Sequence, residues 1–314
     1  MPEDKPLTEE PFGDRLSRRV AERGSQLVVG LDPDPARLWP RAYELVQGAA
    51  PAGEPATRAA FAIAVHCALV IEAVAEHAVA VKLQVACFER LGAPGWAALA
   101  EAAQRARAKG LLVIADAKRG DIDVTAAAYA QAYFGATPTP YGEVEGLSAD
   151  ALTANPLLGA DALEPLLGSA REAGKGLFVL VRTSNPGAAD LQDRALDTGE
   201  TVSERLAGLV HDLGQLGTPH EKLSDVGAVV GATAPERLAR LRELMPETPF
   251  LLPGVGTQGG RVQDLAPALG NDPASLLITA SRAIVNAGTD RADSAGAARE
   301  AAARLRELAW NLRP

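Results

Sequence analysis

Cysteine is almost missing from this sequence. Only Cys67 and Cys87 occur among 314 residues, with no CxxC spacing and no histidine cluster beside them, so neither a disulfide framework nor a zinc site is indicated. Positive charge is in deficit. A formal net charge of −9 disfavours a broad footprint on nucleic acid or anionic lipid, yet leaves room for a local basic pocket and a small anionic substrate. No long apolar run is unbroken either. The longest, AAFAIAVHCALVIEAVAEHAVAV (59–81), is interrupted by His66, Glu72, Glu76 and His77 and reads as a buried helix followed by a strand, not a membrane span. The stretch MPEDKPLTEEPFGDRLSRRV is acidic and has no apolar core of signal-peptide type. Together with the sparse cysteine, this predicts a cytoplasmic protein.

What is present is an ordinary globular composition, 47% hydrophobic and 23% charged, able to bury a sizeable core. The length fits two ordinary domains or one barrel, since α/β barrels commonly reach about 250 residues or more. Eight short apolar segments decide between them: QLVVGL (26–31), AVKLQV (80–85), LLVIA (111–115), ADALTA (149–154), GLFVLV (176–181), VGAVVG (226–231), PFLLPG (249–254) and SLLITA (275–280). Helical, alanine-rich stretches lie between most of them, such as PGWAALAEAAQRARAKG (94–110), whose Lys-Gly ending suits a helix end. Eight β segments alternating with helices predict an α/β fold of the (β/α)8 TIM-barrel class, in one domain. A doubly wound open sheet is the rival, but GLDPDP stands after the first strand where a GxGxxG would be needed. Residues 1–25 read as an N-terminal helical extension and 26–314 as the barrel. The segment 185–225, after the fifth strand, is long for one β/α connection and reads as an insertion. The tail from Asp293 reads as a terminal helix.

Barrel chemistry sits at the carboxyl ends of strands, and there the sequence turns polar. Asp32 follows the first segment, Lys82 lies in the second, Asp116 and Lys118 follow the third and Asn155 the fourth. Thr183, Ser184 and Asn185 follow the fifth, Gln258 the seventh, and Arg282 the eighth. Asp116 and Lys118 are two apart, so a strand persisting through them points both side chains to one side. Asp121 is open between capping the next helix and touching a ligand. Asp32 could initiate a turn, Lys82 could be a solvated lysine, and Arg119 reads as a surface or phosphate-proximal charge. PGVGTQGG gains force from its position, because the loops after strands seven and eight are the usual phosphate site, with backbone N–H groups and an arginine as donors. The four histidines share no strand end with a nucleophile and read as structural or surface groups.

At these residues the sequence resembles the orotidine 5′-phosphate decarboxylase family, in its longer bacterial group. DAKRGDIDVT (116–125) matches the family's Asp-x-Lys-x-x-Asp-Ile-x-x-Thr, supported in order by GLDPDP, VKLQVACFE, RTSNPGA, PGVGTQGG and ASRAI. The matches span about residues 26–285. The resemblance implies decarboxylation of orotidine 5′-phosphate to UMP, the last step of de novo pyrimidine synthesis, without metal or cofactor and in a homodimer. It implies that Lys118 is the cation and proton donor at C6, that Asp116 faces the substrate carboxylate, and that Lys82 and Asp32 bind the ribose. Asp121 and Thr125 would reach into the partner subunit's site. Ser184 would contact the pyrimidine, and Gln258 and Arg282, with the backbone at Gly259 and Ser281, the phosphate. A metal-dependent relative would carry a glutamate where Lys82 stands, and a non-catalytic nucleotide binder would have no use for Asp116 facing a carboxylate.

Overall fold

Strands buried on both faces should read as near-continuous apolar runs, and eight such runs close into one barrel. The computed structural model describes residues 10–49, 54–216, 220–288 and 293–312. Its strands are β1 (Leu27–Leu31), β2 (Ala80–Gln84), β3 (Leu112–Arg119), β4 (Ala151–Ala154), β5 (Gly176–Arg182), β6 (Val226–Val230), β7 (Phe250–Leu252) and β8 (Leu276–Ala280). Spatial order follows chain order around a closed barrel, and β8 returns to β1 in parallel through Leu27↔Ile278, Val28↔Thr279 and Val29↔Ala280. All eight overlap the apolar segments, and β3 runs past its segment through the charged residues.

The helices form the outer layer. Pro55–Val74 is long and apolar enough to cross a membrane, with a mean hydropathy of 1.6. It instead buries Ile63, Cys67, Val70 and Ile71 and packs against Ala93–Ala108, Pro40–Ala49 and Ser294–Trp310. Helix Ala93–Ala108 ends where expected, with Lys109 as its cap and Gly110 at φ 69°, a left-handed position that glycine takes without a Cβ clash.

Two additions shape the ends of the barrel. At the amino end, helix Phe12–Arg23 inserts Phe12, Leu16 and Val20 among Leu112, Ile114, Phe178 and Leu277 inside the barrel. The Phe12 ring meets Phe178 edge to face at 6.1 Å. Gly176 makes room for it, because a Cβ there would lie 2.2 Å from the Phe12 ring. Residues 1–9 fall outside the described ones. At the other end, the long connection after β5 resolves into two parts. Helix Val202–Gln215, with a capping box between Thr201 and Glu204, is the barrel's own crossover, so the additional piece is the loop before it. A short antiparallel hairpin, Ala136–Thr139 with Gly142–Glu145, was not legible in TPTPYGEVE, where two prolines obscure the strands.

Because Phe12 stoppers an otherwise open mouth, Phe12→Ala is expected to destabilise the fold by about 3–5 kcal/mol. Urea unfolding checks this as a lower midpoint with an unchanged slope.

Candidate active site

The carboxyl ends of the strands surround a cavity of about 420 Å³. One wall carries Asp32, Lys82, Asp116 and Lys118, and the opposite side carries Ser184, Gln258, Ser281 and Arg282. Charge is organised around Asp116. Its Oδ2 accepts from Lys82 Nζ at 2.5 Å and its Oδ1 from Lys118 Nζ at 2.5 Å. Lys82 and Asp116 are buried, at 6% and 7% exposure, whereas the Lys118 side chain is 44% exposed and faces the cavity. Burial pushes the Asp116 carboxyl up, but the Lys82 and Lys118 charges and their hydrogen bonds outweigh it and hold the pKa down to about 2. An ionised carboxylate thus stands between two ammonium groups at the bottom of a cleft.

The route by which Lys118 reaches Asp116 differs from simple strand alternation. Lys118 has φ 50°, in the left-handed region that costs a non-glycine residue energy. The β3–β4 pairing shifts between Ala115 and Arg119. Sequence spacing gave the correct meeting of side chains, while the backbone achieves it through an irregularity. Thr153 of β4 fills the gap. Its Oγ1 accepts the Lys118 N–H at 2.9 Å and donates to Asp116 Oδ1 at 3.0 Å. Thr153 was missed, although a lone hydroxyl inside ADALTA was a visible signal. Thr279, 4% exposed, lies on the cavity floor and was also missed; its Oγ1 has no hydrogen-bond partner among the described residues.

The opposite side carries hydroxyl, amide and guanidinium groups. Gly254, Gly256 and Gly259 all have positive φ, 102°, 82° and 96°, which turns the loop after β7 tightly enough to bring Gln258 back over the mouth. Ser184 Oγ donates to Gln258 Oε1 at 2.9 Å, joining the β5 and β7 loops. Ser281 approaches β1 so closely that a Cβ on Gly30 would lie 1.8 Å from its Oγ. Arg282 follows at once and lines the cavity. Gly259 does not line it, and its N–H is donated within the turn to Gly256 O at 2.9 Å.

Other candidates resolve differently. Asp121 does not cap the helix Asp123–Tyr133, which has no side-chain cap; its Oδ1 accepts the Ile122 N–H at 2.8 Å. Asp121 and Thr125 lie outside this cavity, next to exposed Ile122 and Val124 at 51% and 83%. The turn after β1 is organised by Asp34, which accepts the Ala36 N–H, leaving Asp32 at the cavity mouth. Arg119 is half-buried and does not line this cavity: it pairs with Glu89 and lies over Tyr129 and Tyr133 at 5.4 and 5.8 Å. Asn155 turns to its own loop, accepting the Leu157 N–H. His66 is buried, accepts the Trp39 N–H, and burial lowers its pKa to about 4, a structural role.

Comparison with known proteins gives this geometry a family. The orotidine 5′-phosphate decarboxylase / HUMPS family model matches residues 25–298. The chain belongs to that family. Orotidine 5′-phosphate decarboxylase of Deinococcus radiodurans is 43% identical over 303 residues, covering 94% of this chain and 96% of that one. The Haloarcula marismortui protein of the same name is 42% identical over 286 residues, covering 90% and 89%. Among solved structures, Leishmania donovani OMP decarboxylase superposes with a TM-score of 0.72 at 34% identity, over 96% of this chain and 98% of that one. The family match runs through every strand of the barrel and both sides of the cavity.

The two-ammonium environment makes a titration prediction. The folded pKa of Asp116 is depressed below its ordinary 3.8, so its contribution to stability is fully present above about pH 4 and is lost as pH falls through about 2. Carbon-13 NMR of the Asp116 carboxyl is expected to show a midpoint near 2, and a higher one in Lys82→Met. An unchanged midpoint in that variant would deny Lys82 its share.

Proposed function

We propose that this chain decarboxylates orotidine 5′-phosphate to UMP and CO2, with Lys118 and Asp116 at the reacting carbon. The observation that carries the reading is the Lys82–Asp116–Lys118 chain of charge beside a loop and arginine suited to a phosphate. Breaking the C6–carboxylate bond leaves an electron pair in an orbital lying in the pyrimidine plane, where the ring π system cannot accept it. A fixed cation must answer that charge. The Lys118 ammonium meets this need and then transfers an N–H proton to C6, regaining one from water after CO2 has left. Asp116, held ionised by its two neighbours, disfavours a second carboxylate beside it. That repulsion falls as CO2 departs, while the attraction to Lys118 grows.

The remaining residues hold the substrate. Lys82 and Asp32 face the ribose, Ser184 the pyrimidine, and Gln258, Ser281 and Arg282 the phosphate, with Gly259 shaping the loop that delivers Gln258. Phosphate binding far from C6 can lower the barrier, because its binding energy holds the base in the reactive pose beneath the Ser184–Gln258 bridge. Residues 26–314 form the catalytic barrel, with 1–25 as an extension. In this reading the enzyme works in the cytoplasm as a homodimer, and Asp121 and Thr125 complete the site of the partner.

Two experiments test the reading. Ultraviolet absorbance of orotidine 5′-phosphate mixed with EDTA-treated protein is expected to move to the UMP spectrum. Lys118→Ala should lose kcat by about a thousandfold or more with UMP affinity kept, whereas Arg282→Ala should raise KM by about ten- to a hundredfold. No spectral change with folded wild-type protein would remove the decarboxylase assignment. For the dimer, inactive Lys118→Ala and inactive Asp121→Ala chains are mixed. If Asp121 acts across the interface, one site of each mixed dimer is intact, and roughly a quarter of wild-type activity returns. A mixture as inactive as its components would place Asp121 in its own subunit's site or outside the chemistry.

A further inference from the structure

We infer that Thr153 is the positioning residue that sets the Asp116–Lys118 pair, a role that rests on the decarboxylase reading for its kinetic consequence but not for its structural one. Thr153 is 1% exposed and sits in β4, the strand next to the one carrying the reacting pair. A threonine hydroxyl has one proton to give and lone pairs to receive. Here both capacities are committed to the pair: Oγ1 receives the Lys118 backbone N–H and gives its proton to Asp116 Oδ1.

This arrangement answers two physical problems at once. The β3–β4 ladder is interrupted between Ala115 and Arg119, so the Lys118 N–H has no carbonyl opposite it in regular register. Left unpaired at this partly buried site, that donor would carry a desolvation cost; the Thr153 hydroxyl replaces the missing carbonyl. The left-handed Lys118 is thus anchored at its own N–H, because the bond to Thr153 fixes the 117–118 peptide plane from which the chain turns. The second problem is the rotation of Asp116. Its two oxygens serve different lysines, Oδ2 to Lys82 and Oδ1 to Lys118, and the Thr153 proton on Oδ1 fixes which oxygen faces which.

Thr153 touches the pair through hydrogen bonds and acts through it. Its loss should change the chemical step more than binding, because displacement of a reacting group by about 1 Å can cost on the order of a hundredfold. The isosteric Thr153→Val keeps the volume and removes the hydroxyl, and Thr153→Ser restores it. With orotidine 5′-phosphate as substrate, Thr153→Val is expected to lose about ten- to a hundredfold in kcat with UMP affinity held, and Thr153→Ser to recover most of it. In the crystal structure of Thr153→Val, Lys118 should leave the positive-φ region and the Lys118–Asp116 hydrogen bond should lengthen or break. Unchanged Lys118 geometry in that structure overturns the inference whatever the activity. Equal losses in kcat for Val and Ser, at equal thermal stability, would also overturn it, because serine keeps the hydroxyl and the loss would then not follow the two hydrogen bonds. A wild-type protein that leaves orotidine 5′-phosphate unchanged defeats the functional reading alone, and the crystallographic arm still decides the role of Thr153.

Discussion

One buried carboxylate constrains the carboxyl end of this barrel. Asp116 lies at the end of β3 with little solvent, and an ionised group in such a place persists only if it is paired and hydrogen-bonded. Lys82 from β2, Lys118 from β3 and Thr153 from β4 supply those partners. Three adjacent strands must therefore hold a common level to within a fraction of an ångström. Parallel pairing does this, with Lys82 opposite Ile114 and Gln84 opposite Asp116 across β2 and β3, so that the lysine stands two residues below the carboxylate it meets.

That requirement explains why the two ends of the barrel are built differently. The amino end is filled by apolar side chains, with Phe12, Leu16 and Val20 driven in from outside the barrel. The carboxyl end cannot be packed in this way, because polar groups facing a cavity need room for a ligand and water. Stability is concentrated below, and strain is concentrated above, where Lys118 takes a left-handed backbone. A rigid lower half allows the upper half to hold charges of opposite sign without collapsing onto them.

Much of this was legible in the sequence, for identifiable reasons. A strand buried on both faces leaves an apolar run that survives without context, so all eight strands were visible. A charged residue beside such a run is costly unless it has a task, which exposed Asp116, Lys118 and Lys82. Failures occurred where a residue's partner lies far along the chain. Arg119 carries the same charge as its neighbour, and only the fold turns it outward onto Glu89 and two tyrosines. Thr153 looked like one small polar residue in a run of alanines, since nothing local reveals that β3 loses its register opposite it. Asp121 presented the reverse case: sequence left a cap and a ligand contact both open, and the helix start without a side-chain cap removes the first.

An exposed apolar face lies next in the chain to the reacting pair. Ile122 and Val124 are apolar and open, and they lie between Asp121 and Thr125 at the start of one helix. Exposure of that kind on a helix end that carries no cap of its own is costly for an isolated chain and useful for one that meets another copy. A second subunit covering this face would remove apolar surface from water and bring a carboxylate and a hydroxyl toward a cavity already lined on one wall by two lysines. Association and completion of the charge network would then be one event.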